Sequence, residues 1–113
     1  MRNVTTKLEL KGDRVPVVED DALAIIVDIF KQMGCPNEVS QSIAEHLVDA
    51  NLCGVESHGV MRVMQYVEQM QNGDMRVDLK PEVITTETGA TVVDGLMTNG
   101  IPVMALAYET SMN

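Results

Sequence analysis

The chain has no tryptophan, one phenylalanine and two tyrosines among its 113 residues. A core built on large rings is therefore excluded. Nine methionines stand in for them, and methionine packs adaptably but specifies shape less strongly. Cysteine is scarce as well. Cys35 and Cys53 are too few for a disulfide framework and read as free thiols of a reducing compartment. Basic residues are outnumbered, eight Lys and Arg against seventeen Asp and Glu, for a net charge of −9. That balance argues against nucleic acid and against an anionic membrane surface as partners. No apolar run approaches the ~20 residues that a membrane-spanning helix needs. The opening MRNVTTKLELKGDRV has no apolar h-region, so no signal peptide is read and the cytoplasm is the expected default. Internal repeats and low-complexity tracts are absent. What remains is one domain's worth of chain or less, with an ordinary hydrophobic fraction of 45%.

Val4, Thr6, Leu8 and Leu10 alternate, which predicts a short strand or an extended arm over residues 1–14, ahead of the Lys11-Gly12-Asp13 turn. A first helix is predicted from Asp20 to Met33. Glu19, Asp20 and Asp21 stand at its start, where the helix dipole favours acids. Ala22, Ile25, Ile26, Ile29, Phe30 and Met33 fall on one face. Gly34 ends the helix and Pro36 blocks its continuation. A second helix is predicted from Glu38 to Leu52 with Asn37 as N-cap, and Val39, Ile43, Leu47 and Val48 form its face with Ala44 and Ala50. His46 lies off that face and reads as a surface residue. A zinc site from His46, Cys53 and His58 lacks the paired ligand spacing of structural zinc.

The most informative stretch is Asn51–Tyr66, NLCGVESHGVMRVMQY. Gly54 suits the left-handed residue after a helix, and Ser57 suits the cap of the next one. That next helix is predicted from His58 to Gln71, closed by Gly73, with Val60, Val63, Met64, Val67 and Met70 on its apolar face. His58, Arg62 and Tyr66 recur every four residues and form a second stripe, roughly opposite Val60 and Val67 and pointing away from the core. Ser57 and His58 would lie at a helix N-terminus, where free N–H groups favour an anion.

A planar guanidinium at Arg62 can pair bidentately with a carboxylate. The His58 imidazole can exchange a proton with a substrate oxygen. Tyr66 and Ser57 can orient either one. A small carboxylate with an adjacent carbonyl or hydroxyl suits this set. The plainer reading is a solvated polar face behind an ordinary cap, and spacing alone does not separate the two.

Beyond Gly73 the period changes. Met75, Val77 and Leu79 alternate with polar residues, Val83 and Ile84 lead into two threonines, and Thr91–Asp94 is a short apolar run. Asn72-Gly73, Lys80-Pro81 and Gly89 punctuate them, so two or three strands are predicted. Their pairing partners are expected from elsewhere, leaving Val77–Val93 prone to association. A last helix is predicted from Thr98, Asn99 or Gly100, with Pro102 in its first turn and Val103, Leu106, Ala107 and Thr110 facing inward.

The run GVESHGVMRVMQY resembles the GV-acidic-SHG-V-x-R-x-x-x-Y signature of the malate/L-lactate dehydrogenase family, which includes ureidoglycolate, sulfolactate and diketogulonate oxidoreductases. The resemblance extends from about Val15 to Gly100, through a helix pair before the signature and a V-x-D-G passage after it. It implies reduction of 2-oxo acids, or oxidation of 2-hydroxy acids, with NAD or NADP, in a homodimer or higher oligomer. It places Ser57, Arg62 and Tyr66 in the substrate pocket as binding residues and His58 there as the catalytic proton donor. In some members a second histidine further along takes that part, and this chain has none downstream of His58. Where members carry a Gly-Gln pair after V-x-D-G, this chain reads Asn99-Gly100-Ile101-Pro102.

The expected fold is α+β: an arm over residues 1–14, a three-helix N-terminal domain over residues 15–74 carrying the SHG motif, and over residues 75–113 the first strands and a helix of an incomplete α/β body. Family members are much longer, and their nicotinamide-binding region has no counterpart here. The chain thus reads as an N-terminal segment of an NAD(P)-dependent 2-oxo/2-hydroxy acid oxidoreductase, inactive in isolation. Two alternatives stand beside it. One is an acidic helical interaction module. The other is a winged helix-turn-helix that would carry Ser57, His58 and Arg62 into DNA, against the sign of the chain's charge.

Overall fold

The computed structural model describes residues 13–113. The arm expected over residues 1–14 falls, up to residue 12, outside the described residues, and residues 13–18 carry no regular secondary structure. Four α-helices and one two-stranded antiparallel sheet follow, an α+β arrangement.

Helix α1, Glu19–Gln32, opens on Glu19, Asp20 and Asp21 and has Lys31 in its last turn, charges that match both ends of its dipole. Gly34 at φ +98° stops it. The Gly34 N–H reaches the Lys31 carbonyl and the Cys35 N–H reaches that of Phe30, at 3.0 Å each. This is the paired closure that a left-handed glycine permits. Helix α2, Asn37–Leu52, begins one residue earlier than its sequence suggests. Asn37 is inside the helix, the N-cap is Pro36, and no side chain caps it. The second helix instead gains Ser40, fully buried, whose hydroxyl donates to the Pro36 carbonyl at 3.0 Å. A buried hydroxyl thus finds an acceptor within its own first turn.

The α1–α2 pair holds the core. Phe30, Ile43, Ala44 and Leu47 are fully buried, with Ile26, Cys35, Val48 and Val63 around them. Ile25, expected on the buried face, is exposed. Helix α2 covers the Ile26–Phe30 side of α1, and Ile25 is rotated by about 100° from that line.

The segment after Gly73 differs most from its sequence pattern. Met75, Val77 and Leu79 alternate, yet residues 75–79 form no strand. Met75 and Val77 are half-buried, and Val77 packs on the edge of the helical core beside Gly34. The polar residues between them face out, so a pinned loop imitates the strand period. Strand β1, Glu82–Thr85, pairs with β2, Thr91–Asp94, in the register Val83↔Val93 and Ile84↔Val92. The two strands that were expected to lack partners serve one another. Val83, Ile84 and Val92 are nonetheless exposed. Gly89, at φ +85°, and Thr86, whose N–H and hydroxyl both reach Ala90, close the hairpin.

Between β2 and α4 the chain makes a strained turn. Leu96 and Met97 have φ of +52° and +62°. Branched and long side chains enter that region at a cost of ~1 kcal/mol or more each. Four hydrogen bonds hold the turn: Leu96 N–H to Asp94 Oδ1 at 2.9 Å, the Thr98 hydroxyl and N–H to the Gly95 carbonyl, and Arg76 N–H to the Met97 carbonyl at 2.8 Å. Helix α4, Gly100–Ser111, then starts from Asn99, whose side-chain oxygen accepts the Ile101 N–H at 2.9 Å. Val103, Leu106, Ala107 and Thr110 are half-buried as expected, but no α4 residue is fully buried.

Candidate functional site

The Asn51–Tyr66 stretch is built from the end of α2 outward. Gly54, at φ +80°, turns the chain, with Gly54 N–H on the Asn51 carbonyl at 3.0 Å and Val55 N–H on that of Ala50 at 2.8 Å. The same glycine closure that ends α1 therefore ends α2. Residues 56–62 then lie against α2 as two single 3-10 turns, Glu56–His58 and Val60–Arg62, and α3 runs only from Val63 to Gln71. The continuous helix expected from His58 is thus broken at Gly59, whose φ of −102° and ψ of −147° are not helical. The break moves the expected anion-favouring helix start away from Ser57 and His58. Ser57 makes no cap hydrogen bond.

What Ser57 does instead is engage its neighbour. Its Oγ lies 2.8 Å from His58 Nδ1. A ring nitrogen held in this way leaves Nε2 as the one available to a ligand. His58 is exposed. Arg62 folds back over the same turn: its Nε donates to the Ser57 carbonyl and its Nη1 to Gln65 Oε1, both at 2.7 Å. Two of the five guanidinium N–H donors are thereby engaged, and the Nη end keeps donors for an anion. Ser57, His58 and Arg62 are brought together. Tyr66 is not. Its ring packs toward Phe30, with centroids 6.4 Å apart at 41°, and belongs to the rim of the core. Among the described residues no hydrogen bond joins its hydroxyl to the other three. The four-residue stripe fails because Gly59 resets the helical rotation before Arg62, and the core draws Tyr66 inward. Val60 and Met64, expected on the buried face, are exposed for the same reason.

Two further residues bear on this turn. Arg14 forms a two-pronged ion pair with Glu56, Nη1 to Oε1 and Nη2 to Oε2. The Arg14 hydrogen bond, with a smaller contribution from its charge, holds the Glu56 carboxyl below its ordinary range. Asn51 Oδ1 accepts the Val60 N–H at 2.7 Å. Sequence reading passed over Asn51 because a polar residue in the last turn of a helix is ordinary. Arg14 gave no signal, since its partner lies 42 residues away.

The turn itself is open. A groove of about 830 Å³ lies between α1, α2 and α4, lined by Leu23, Val48, Ile101 and Tyr108 with Glu45 and His46 at its side, and contains none of the four candidate residues. Among the described residues no three His, Cys, Asp or Glu are grouped to hold a metal. Cys35 and Cys53 are both free thiols. No described helix is long and apolar enough to cross a membrane.

The described residues do not form the glycine-rich phosphate cradle of a doubly wound dinucleotide fold. In the doubly wound dinucleotide folds the pyrophosphate is held where a glycine-rich turn leads from a parallel strand into a helix. The one strand-to-helix turn among the described residues leaves an antiparallel hairpin, and its groups are engaged internally by Asn99, Thr98 and Asp94.

Residues 17–113 match the malate/L-lactate dehydrogenase family over their whole length. The chain belongs to this family. The malate dehydrogenase of Pyrococcus horikoshii is 37% identical over 82 residues, which are 73% of this chain and 22% of that protein. The L-sulfolactate dehydrogenase of Methanocaldococcus jannaschii is 36% identical over 90 residues, 78% of this chain and 26% of the relative. The solved structure of the Pyrococcus horikoshii malate dehydrogenase superimposes with a TM-score of 0.75 at 33% identity, covering 81% of this chain and 26% of that one. The chain therefore spans between a fifth and about a quarter of the length of these dehydrogenases. Membership in the malate/L-lactate dehydrogenase family does not favour the interaction-module and helix-turn-helix readings. The geometry also disfavours the second, because its proposed reader, Ser57 to Arg62, is a pair of broken 3-10 turns rather than a helix.

Proposed function

We propose that this chain supplies the substrate-facing helical segment of an NAD(P)-dependent 2-oxo/2-hydroxy acid oxidoreductase. The observation that carries the reading is the shared turn: Ser57 holds His58 at Nδ1, and Arg62 is fastened to the Ser57 carbonyl with donors still at its Nη end. Arg62 binds the substrate carboxylate. His58 hydrogen-bonds the 2-oxo oxygen through Nε2 and protonates it as the carbonyl is reduced. Ser57 sets the orientation of the His58 ring. Tyr66 contributes less directly, as a ring that packs α3 toward Phe30. The coenzyme supplies hydride and is held by residues other than those described, so the isolated chain is expected to be inactive. The reading includes a homodimer or larger assembly, supported by the exposed Val83, Ile84 and Val92 of the hairpin and Met104, Tyr108 and Met112 of α4.

The test is a hybrid enzyme in which residues 17–113 replace the matching segment of the Pyrococcus horikoshii malate dehydrogenase. Loss of a charge-assisted hydrogen bond predicts that Arg62→Ala raises KM for the 2-oxo acid by about ten- to a hundredfold. Loss of a general acid predicts that His58→Ala lowers kcat by about 10²- to 10⁴-fold. Unchanged kinetics in both variants would refute the assignment.

A further inference from the structure

The residues that make the turn local do not explain why it sits where it does. Its own bonds, His58 N–H to Val55, Gly59 N–H to Glu56 and Arg62 N–H to Gly59, run between neighbours in sequence. They would survive if the whole turn tilted on α2. Among the described residues, a single hydrogen bond joins residues 56–62 to α2: the Val60 N–H to Asn51 Oδ1, at 2.7 Å. Val60 lies midway between His58 and Arg62, two residues from each. At that same place Gly59 is buried against α2. A Cβ on Gly59 would stand 1.7 Å from Asn51 Oδ1, 2.7 Å from Asn51 Cγ and 3.2 Å from the Leu47 carbonyl oxygen. The backbone conformation of Gly59 lies outside the left-handed region, so what glycine provides here is space. The missing side chain lets the Asn51 amide come up to the backbone and take the next N–H.

We propose that Asn51 is the positioning residue of the SHG turn, an α2 side chain that fixes the placement of His58 and Arg62 through the Val60 amide. It caps the second 3-10 turn from a different helix, doing across space what Ser57 was expected to do along the chain. The Leu47 carbonyl and the Gly59 backbone set the depth of the turn, and the 2.7 Å bond sets its rotation about α2. This inference rests on the reading that His58 and Arg62 face the substrate. Its geometric half can be measured without any substrate.

The experiment uses the ¹⁵N-labelled 113-residue chain. In Asn51→Ala, hydrogen exchange at the Val60 amide is expected to quicken by about five- to tenfold, the factor set by a hydrogen bond of ordinary strength. The His58 ring-nitrogen shifts and the Arg62 Nε–H signal are expected to move with it, while the methyl signals of Ile43 and Leu47 hold. Asn51→Asp keeps an acceptor and is expected to restore all three signals. Asn51→Leu keeps the bulk and raises helix propensity without an acceptor. It is expected to behave as Asn51→Ala even if the smaller variant folds poorly. Val60 exchange and His58 shifts that ignore Asn51→Leu would overturn the proposal, as would a failure of Asn51→Asp to restore them. The hybrid enzyme separates the two readings. A displaced turn with a raised KM and a lowered kcat in Asn51→Leu supports both. A displaced turn with unchanged kinetics supports the anchoring by Asn51 and overturns the substrate reading of His58 and Arg62.

Discussion

Replacing Gly59 with alanine tests the packing of the turn on α2 most severely. The added Cβ would lie 1.7 Å from Asn51 Oδ1, so the Asn51 side chain must leave. Its departure strips the Val60 N–H of an acceptor. An unsatisfied buried donor costs about 1–3 kcal/mol, and Val60 is 38% exposed, so the lower half of that range applies. Forcing extra volume into a packed contact adds about 1–3 kcal/mol. The sum is about 2–5 kcal/mol. In a domain of this size that lowers the melting temperature by roughly 10–40 °C. The same substitution made in an Asn51→Ala background meets the Leu47 carbonyl at 3.2 Å as its nearest remaining obstacle, a contact that yields with a small shift. There it should cost about 1 kcal/mol, with no hydrogen bond left to lose. The two substitutions are therefore expected to couple by about 1–4 kcal/mol, with the double variant more stable than the sum of the singles implies. Urea unfolding of the four proteins, followed by far-ultraviolet circular dichroism, closes the cycle. Additivity within about 0.5 kcal/mol would refute the argument, because it would mean that the methyl group and the amide do not compete for one space.

Three other outcomes are expected. Glu56 titrates below its ordinary range because Arg14 bonds its carboxylate. The stabilisation is then present above the unfolded-state value of a glutamate and is lost as pH falls through the lower folded value. Arg14→Gln should thus reduce the urea midpoint at neutral pH and leave it unchanged in strong acid, and an equal loss at both pH values would rule the ion pair out as the cause. Met97, exposed and at φ +62°, gives only its backbone carbonyl to Arg76; Met97→Gly should raise stability by up to ~1 kcal/mol by calorimetry, and a loss would show that its side chain packs usefully. Cys53 is exposed, whereas Cys35 is buried and its thiol is pushed up by burial; an aromatic disulfide reagent should label Cys53 at once and Cys35 only on unfolding, and equal labelling rates would contradict that burial.

The parts of the fold legible in the sequence are those whose causes are local. Helices α1 and α2 announce themselves by apolar period, and Gly34, Pro36 and Gly54 stop them with their own backbone chemistry. Asn99 marks the start of α4 in the same way. The errors have causes from across the molecule. The spacing of Val60, Val63, Met64, Val67 and Met70 describes a good helix, but an amide on α2 takes the Val60 N–H and interrupts it. The alternation of Met75, Val77 and Leu79 reflects a loop with two residues tucked against the helices, which a period of two cannot distinguish from a ladder. The candidate site shows the same division. Ser57, His58 and Arg62 were singled out together and do lie together, though through 3-10 turns and a guanidinium bonded to the Ser57 carbonyl, not through a helical stripe. Tyr66 was grouped with them by its spacing, and Phe30 pulled it elsewhere.

The concentration of fully buried side chains within residues 30–47 has a kinetic consequence. Joining α1 to α2 closes a loop of only a few residues, so that union loses little chain entropy and can form early. Asn51 belongs to the last turn of α2, and its amide is in place before residues 56–62 have anything to rest on. The SHG turn is then expected to dock late, onto a finished template. Substitutions at Asn51 or Gly59 should accordingly hasten unfolding and leave the refolding rate alone, whereas changes at Phe30 or Leu47 slow refolding, a contrast that stopped-flow mixing resolves. On that order of events His58 and Arg62 are expected to gain their shared placement last, after the helices are joined.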